Sequence, residues 1–242
     1  QVPETLATNP AFEFLLRVII GGSEPEPAVH RDIDVLRLWR DQEPGLQRVW
    51  QGDDPTSWEG VEFDGDRVVK LRIEDNKLTS LPAEIGQLTS LEKLYLPINK
   101  LTSLPAEIGQ LTSLTVLSLY NNKLTSLPAE IGQLTSLKHL YLDHNKLTSL
   151  PAEIGQLASL DELWLGGNQL TSVLAEIGQL ASLKILVLDG NRLTSVPAEI
   201  GQLTELRTLT LRGNQLTSMP AEIGQLTGCK VALGSGVTVD YT

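Results

Sequence analysis

Leucine and isoleucine recur at fixed positions along most of this chain, within a unit of 23 residues that repeats without insertion. The first of six complete units begins at Leu78, and a seventh begins at Leu216. A single unit is too short to bury its own apolar side chains, so the pattern predicts a solenoid whose turns stack on one another. The core positions of the first unit are Leu78, Leu81, Ile85, Leu88, Leu91, Leu94 and Leu96.

The second half of each unit predicts a short strand, because apolar and variable residues alternate there. In the first unit Leu94 and Leu96 point into the core, and the residues between them point onto the outer face of a parallel sheet. Residues 82–86, with proline in the first position, predict a short helical or 3-10 turn on the opposite side.

An asparagine follows each strand and marks every turn of the solenoid. We interpret these side chains as structural, because an amide can satisfy backbone groups inside a turn that would otherwise be unpaired. The column comprises Asn76, Asn99, Asn122, Asn145, Asn168, Asn191 and Asn214.

The spacing of Leu91, Leu94, Leu96 and Asn99 fits the pattern L-x-x-L-x-L-x-x-N and resembles the leucine-rich-repeat family. The other half of the unit, L-x-x-L-P-x-x-I-x-x-L, is similar to the class of this family found in plant intracellular Ras-group-related proteins, Ras-binding scaffold proteins, Roco-type proteins and bacterial repeat proteins. The resemblance implies an α/β solenoid with a parallel sheet on its concave face and short turns on its convex face. It also implies that the chain binds a protein or peptide.

The N-terminal end departs from the repeat and predicts a cap that covers the apolar edge of the first turn. Residues 1–66 form this expected helical cap, with helices over 11–20 and 31–40. The stretch 50–73 resembles the N-terminal caps of plant receptor-type repeat proteins, but it lacks their flanking cysteines. The bulk that covers the first turn comes from Leu36, Trp39, Trp50 and Trp58.

The repeat array and the C-terminal end complete the expected organisation. Residues 67–228 predict seven strand turns, the first of them in register with Val68, Leu71 and Ile73. Residues 229–242 contain two short apolar segments around a Gly-Ser-Gly sequence, and they predict a capping hairpin or a paired sheet edge.

The units differ mainly at the outward strand positions, whereas their leucines are constant. Between residues 78 and 228 the aromatic residues are three tyrosines and one tryptophan, and all four occupy such positions. Exposed aromatic side chains on a rigid sheet are typical of interaction hot spots, although they also suit any strand surface. We predict a partner-binding face composed of Lys93, Tyr95, Tyr120, His139, Tyr141, Asp143, Glu162, Trp164, Val187 and Arg212.

The charge and cysteine content narrow the class of partner. A net charge of −11 argues against binding to nucleic acid, whose phosphates require a basic surface. The apolar run at 15–20 is too short to span a bilayer, so we expect no membrane insertion. The single cysteine, Cys229, excludes an internal disulfide and favours a cytoplasmic location, while secretion stays open.

No phosphate-binding glycine loop, zinc-protease motif or nucleophile elbow occurs, so we expect neither catalysis nor a bound cofactor. Two other interpretations concern His139, Asp143 and His144, which could hold a metal ion or, with a serine, form a hydrolytic triad. We favour a polar patch of the binding face.

Two alternative functions stay open. The chain could be a scaffold or sensor segment of a larger signalling protein. A ladder of Thr-Ser pairs could also bind ice, since flat and regular hydroxyl arrays occur in ice-binding proteins, whereas turn hydroxyls ordinarily bond local backbone. The ladder contains Thr79, Thr102, Thr125, Thr148, Thr171, Thr194 and Thr217.

Overall fold

The computed structural model of the chain describes residues 32–239. Within this range the chain winds as a solenoid, with parallel strands on one side and 3-10 turns on the other, as the repeat pattern predicts. The helix expected over 11–20 lies outside the described residues. None of the helices between residues 32 and 239 combines the length and apolarity needed to cross a membrane.

Two helices precede the array. Helix α1 (Asp32–Gln42) corresponds to the helix expected over 31–40, and the short helix α2 (Pro44–Val49) was not expected. Strand β1 (Val61–Asp64) then pairs antiparallel with β2 (Arg67–Arg72), so this segment contributes a strand to the sheet as well as helices.

Three tryptophans form the interior of this N-terminal segment. The ring of Trp50 stacks on Trp58 at 4.9 Å and meets Trp39 edge-on at 5.8 Å. All three side chains are buried, and they continue the leucine core of the array. Burial of such large rings supplies the apolar cover that the first turn needs.

Two buried carboxylates close the first turn by accepting hydrogen bonds from its backbone. Asp32 Oδ2 accepts from Val68 N at 2.7 Å and from Arg67 Nε at 3.2 Å. Glu43 Oε1 accepts from the backbone N–H and the hydroxyl of both Thr79 and Ser80, at 3.0–3.3 Å. The two carboxylates thus accept hydrogen bonds from backbone N–H groups of the first turn, which has no preceding repeat unit to supply acceptors.

Within residues 32–239 one sheet contains nine strands, in the order β1 to β8 followed by β10 (Lys230–Ala232). From β2 onward the pairing is parallel, and each leucine lies opposite the equivalent leucine of the next turn, for example Leu94 opposite Leu117. The repeat strands are β3 (Lys93–Tyr95), β4 (Val116–Ser118), β5 (His139–Tyr141), β6 (Glu162–Trp164), β7 (Ile185–Val187) and β8 (Thr208–Thr210).

The convex side consists of 3-10 turns with the sequence Ala-Glu-Ile-Gly-Gln, beginning with Ala83–Gln87. Proline lies one residue before six of the seven such turns between residues 83 and 225, and not in their first position. Leu174 adopts the same extended backbone before the remaining turn. Neighbouring turns approach closely: a Cβ on Gly132 would lie 2.6 Å from the carbonyl oxygen of Glu153. The repeated glycine is therefore required by packing between turns.

The asparagine column links consecutive turns. Asn122 Nδ2 donates to the carbonyl oxygens of Leu96 at 2.9 Å and Leu119 at 3.0 Å, and its Oδ1 accepts from Leu101 N at 3.1 Å. Asn76 differs, since its Nδ2 donates to the carbonyl of Glu74 within its own turn. Equivalent links to those of Asn122 are made by Asn99, Asn145, Asn168, Asn191 and Asn214.

The C-terminal end differs from the expected hairpin, because its two strands do not pair with each other. Strand β10 (Lys230–Ala232) extends the main sheet in parallel beside β8. Strand β11 (Thr238–Val239) pairs in parallel with β9 (Ser218–Met219) in a separate two-stranded sheet. The Gly-Ser-Gly sequence thus carries the chain from one sheet to the other, and both segments satisfy open strand edges of the last turns.

Candidate binding site on the concave face

The parallel register brings the outward strand residues into columns. Tyr95, Ser118, Tyr141 and Trp164 lie opposite one another on four consecutive strands, followed by Val187. Paired strands lie about 4.8 Å apart, so aromatic side chains on adjacent strands touch. The ring centroids of Tyr141 and Trp164 are 5.9 Å apart, at an interplanar angle of 65°.

Glu162 is the acceptor at the centre of this surface. Its Oε2 accepts from the Tyr141 hydroxyl at 3.2 Å and from Trp164 Nε1 at 3.1 Å. Its Oε1 lies 3.7 Å from His139 Nδ1, and the His139 ring lies parallel to that of Tyr141 at 6.2 Å. The four side chains, which we call the central cluster, therefore hold one another in place across two adjacent strands.

Burial and, next in importance, the negative charge of Glu162 together raise the pKa of the Tyr141 hydroxyl to about 12. The phenol consequently stays protonated at neutral pH and acts as a hydrogen-bond donor. The central cluster fixes the orientation of two aromatic rings before any partner arrives.

A concave pocket of about 360 Å³ opens beside the central cluster. The pocket forms a depression because Ser118, a small and buried residue, lies between the larger side chains of Tyr95 and Tyr141 in the same column. One wall is Tyr120, whose ring meets His144 edge-on at 5.5 Å. The lining residues are Ser118, Tyr120, Tyr141, Asp143, His144 and Trp164.

Asp143 is buried at the base of this pocket. Its Oδ1 accepts a hydrogen bond from Gly166 N at 2.9 Å, and a Cβ on Gly166 would lie 2.9 Å from the same oxygen. Burial raises the pKa of Asp143, partly opposed by the hydrogen bond from Gly166. The absence of a side chain at residue 166 thus lets the carboxylate reach the neighbouring turn.

The structure brings some of the predicted binding residues together and separates others. His139, Tyr141, Glu162 and Trp164 form the central cluster, while Tyr120 and Asp143 belong to the adjoining pocket. Asp143 lines the pocket on the same face as Tyr141, but it is buried there, and its carboxylate accepts from the backbone of the next turn. Outside this group lie Lys93, Tyr95, Val187 and Arg212.

Ser118 was missing from the predicted face, and His144 was predicted only as part of a polar patch on it. Ser118 interrupts a column of aromatic residues, and a small residue between large ones is a signal for a depression. His144 precedes Asn145 and adopts a positive φ of 55°, which turns its ring toward Tyr120.

Within residues 32–239 no group of three or more His, Cys, Asp or Glu side chains lies at metal-binding spacing.

This architecture defines a repeat solenoid with a structured concave face. A family model described as "Leucine-rich repeat region" matches residues 62–186, and one described as "Leucine Rich Repeat" matches residues 182–203 and 205–226. The first match covers more than half of the chain, so the chain belongs to the leucine-rich-repeat family, as the motif predicted. Among proteins of curated function no sequence matches significantly.

Solved structures give the same fold. A leucine-rich-repeat protein of Leptospira interrogans is 50% identical over 69% of this chain, with a TM-score of 0.66, and the chain spans 43% of that protein. Plant peptide hormone receptor RGFR1, in complex with RGF2, is 29% identical, with 74% of this chain and 37% of the receptor covered and a TM-score of 0.59. A plant ice-binding protein is 24% identical, with 87% and 80% covered and a TM-score of 0.65, a likeness of fold alone.

Proposed function

We propose that the chain is a non-enzymatic recognition module that binds a protein or peptide through its concave face. Leucine-rich-repeat domains generally serve protein–protein interaction, and a plant receptor among the similar structures carries RGF2. The observation that carries the proposal for this chain is the position of its aromatic residues. Three of the four aromatic residues of segment 78–228 end a strand, Tyr120 lies two residues beyond β4, and three of the four line one pocket.

The mechanism is presentation of preorganised side chains. Strand pairing fixes the backbone, and the central cluster fixes the rings of Tyr141 and Trp164. A partner that binds these rings orders few side chains, so less conformational entropy is lost on association. Half-buried Tyr and Trp side chains at the centre of a surface are the residues that most often dominate binding energy.

Selection from a peptide library tests this proposal. Peptides displayed on phage are panned against the wild-type chain, with counter-selection against a variant carrying Tyr141→Ser and Trp164→Ser. We expect enriched peptides that bind the wild type and not this variant. Peptides that bind both equally would overturn the assignment of the concave face.

A matched control separates loss of the site from loss of the fold. Thr112 and Thr135 are exposed side chains in the segments that follow two convex turns. A variant carrying Thr112→Ala and Thr135→Ala should bind the selected peptides like the wild type. Coincident thermal unfolding curves for all three proteins would show that the serine variant retains the fold.

Ice binding is a second candidate function, supported by the exposure of the Thr-Ser ladder. The threonine side chains of the ladder are all exposed, and those of Thr102, Thr125 and Thr148 make no side-chain hydrogen bond within residues 32–239. Their hydroxyls are therefore available to water at the regular spacing of the turns. Thermal hysteresis and faceted ice growth at millimolar protein would support this function, and normal freezing with unshaped ice would reject it.

A further inference from the structure

The pocket beside the central cluster combines aromatic walls with negative charge. Tyr120, Tyr141 and Trp164 form its sides, and the Asp143 carboxylate lies at its base. Aromatic faces carry negative potential, so a cation held among them is attracted to each ring. Aromatic rings alone would also suit an apolar side chain. The carboxylate of Asp143 is the feature that favours a cation over an apolar side chain.

Two histidines lie beside the charges of the pocket: His144 lines the pocket and lowers the pKa of Asp143, and His139 Nδ1 lies 3.7 Å from Glu162 Oε1. No lysine or arginine is among the lining residues, and the Asp143 carboxylate hydrogen bonds only to a neutral backbone N–H within residues 32–239. Glu162 lies behind two of the walls and accepts from a phenol and an indole, which leaves its charge in place. By contrast, Asp161 in the same turn is paired with Lys184 Nζ at 2.7 Å.

The volume of about 360 Å³ fits one side chain of a partner and is small for a larger ligand. Arginine fits better than lysine, because a guanidinium is planar, weakly hydrated and able to stack on aromatic rings while it donates to a carboxylate. The net charge of −11 favours approach of a basic segment to this surface.

We infer that this pocket binds an arginine side chain of the partner, a specificity that rests on the proposed function. The guanidinium stacks between Tyr120 and the Tyr141–Trp164 pair and donates toward Asp143. Arginine in the bound peptide is then the residue that the site selects, and the other outward strand residues contact its neighbours.

A titration with a single amino-acid probe tests the inference without a selected peptide. N-acetyl-arginine N-methylamide is added to the isotopically labelled full chain at about pH 8. The Trp164 indole N–H resonance, assigned by its loss in Trp164→Phe, should shift and saturate in the millimolar range. The indole resonances of Trp50 and Trp58, buried in the N-terminal segment, serve as internal controls and should not move.

Two comparisons make the result decisive. The citrulline analogue has nearly the same shape without the charge, and we expect it to bind about tenfold more weakly. Asp143→Asn keeps an oxygen that can accept from Gly166 N and removes the charge, so it should weaken the arginine probe and leave the citrulline analogue unchanged.

Equal binding of both probes, or no shift of the Trp164 resonance with arginine, would overturn the inference. The two proposals fail separately. Peptides from the library that bind the concave face without a required arginine would support the proposed function and reject the arginine pocket. Binding of the arginine probe, with no peptide selected from the library, would support the arginine pocket and reject peptide recognition by the concave face.

Discussion

The asparagine column and the central cluster occupy the same turns and use their hydrogen bonds differently. Asn145 is buried and bonds the backbone of its own and neighbouring turns, as its equivalents do in the adjacent units. The central cluster is half-exposed, and its hydrogen bonds run from Tyr141 and Trp164 to the side chain of Glu162. The asparagine column maintains the spacing of turns, and the central cluster shapes a surface. Substitutions in the column should therefore lower stability, whereas substitutions in the cluster should lower binding and leave stability largely unchanged.

The largest loss of stability is expected for Asn145→Ala. This change leaves the buried N–H of Leu124 without its amide acceptor, which costs about 1–3 kcal/mol, and it removes one of the two amide donors to each of the Leu119 and Leu142 carbonyls. We expect the free energy of unfolding to fall by about 3 kcal/mol in urea titration. Asn76→Ala is the matched control, since its Nδ2 bonds within one turn, and it should cost about 1 kcal/mol. Equal losses for both variants would remove the special role of the column.

Glu43→Ala extends the comparison to the N-terminal end of the array. There the Glu43 carboxylate supplies hydrogen-bond acceptors to the first unit, which no preceding unit covers. Glu43 is buried and accepts four hydrogen bonds from Thr79 and Ser80. We expect a loss of about 2 kcal/mol in the same titration, because hydrogen bonds to a charged group are worth about 1.5–3 kcal/mol. Glu43→Gln, which keeps an acceptor oxygen, should recover part of this stability. A Gln variant as unstable as the Ala variant would contradict this role.

Ile98→Asn should stabilise the framework by about 1 kcal/mol. Ile98 has a φ of 57°, a left-handed conformation that costs a β-branched residue about 1–2 kcal/mol. Asn121 occupies the equivalent position of the next turn at a φ of 55°, and asparagine tolerates this region well. The reverse change, Asn121→Ile, should destabilise by a similar amount. Shifts of the same sign in the two unfolding midpoints would rule out backbone strain as the cause.

A pH-dependent difference is expected for Asp143→Asn. Because folding raises the pKa of Asp143, its contribution to stability is complete below the unfolded value of about 3.9 and is lost as pH rises through the folded pKa. The variant does not titrate, so its stability relative to the wild type should increase, by less than about 1 kcal/mol, as pH rises from about 3 to 7. Urea titrations at the two pH values measure this difference. A relative stability that falls over this range would contradict the direction of the pKa shift.

The array could be predicted from the sequence because each unit contacts mainly the units directly before and after it. A leucine such as Leu94 packs on residues one unit away, so one period predicts every strand, turn and core position. The C-terminal strands could not be predicted in this way. Their partners β8 and β9 are chosen by which edges remain open after the last turn, and nothing within 229–242 specifies that choice.

The concave residues could be predicted as a set, and their interactions could not. Strand alternation places Tyr141 and Trp164 outward, whereas their shared acceptor depends on the side-chain conformation of Glu162. Asp143 alternates onto the same face, but strand alternation does not predict that its carboxylate accepts a hydrogen bond from Gly166 N. The short helix α2 was also missed, because six residues that begin with a proline carry too little periodicity to distinguish a helix from a loop.

Affinity of a library-selected peptide for matched variants tests the central claim most directly. Isothermal titration would compare the wild type, Tyr141→Ser with Trp164→Ser, and the convex control Thr112→Ala with Thr135→Ala. We predict a loss of at least about a hundredfold for the concave variant, as expected for two hot-spot residues, and no change for the convex control. Unchanged affinity in the concave variant, with its thermal unfolding intact, would contradict recognition through this face.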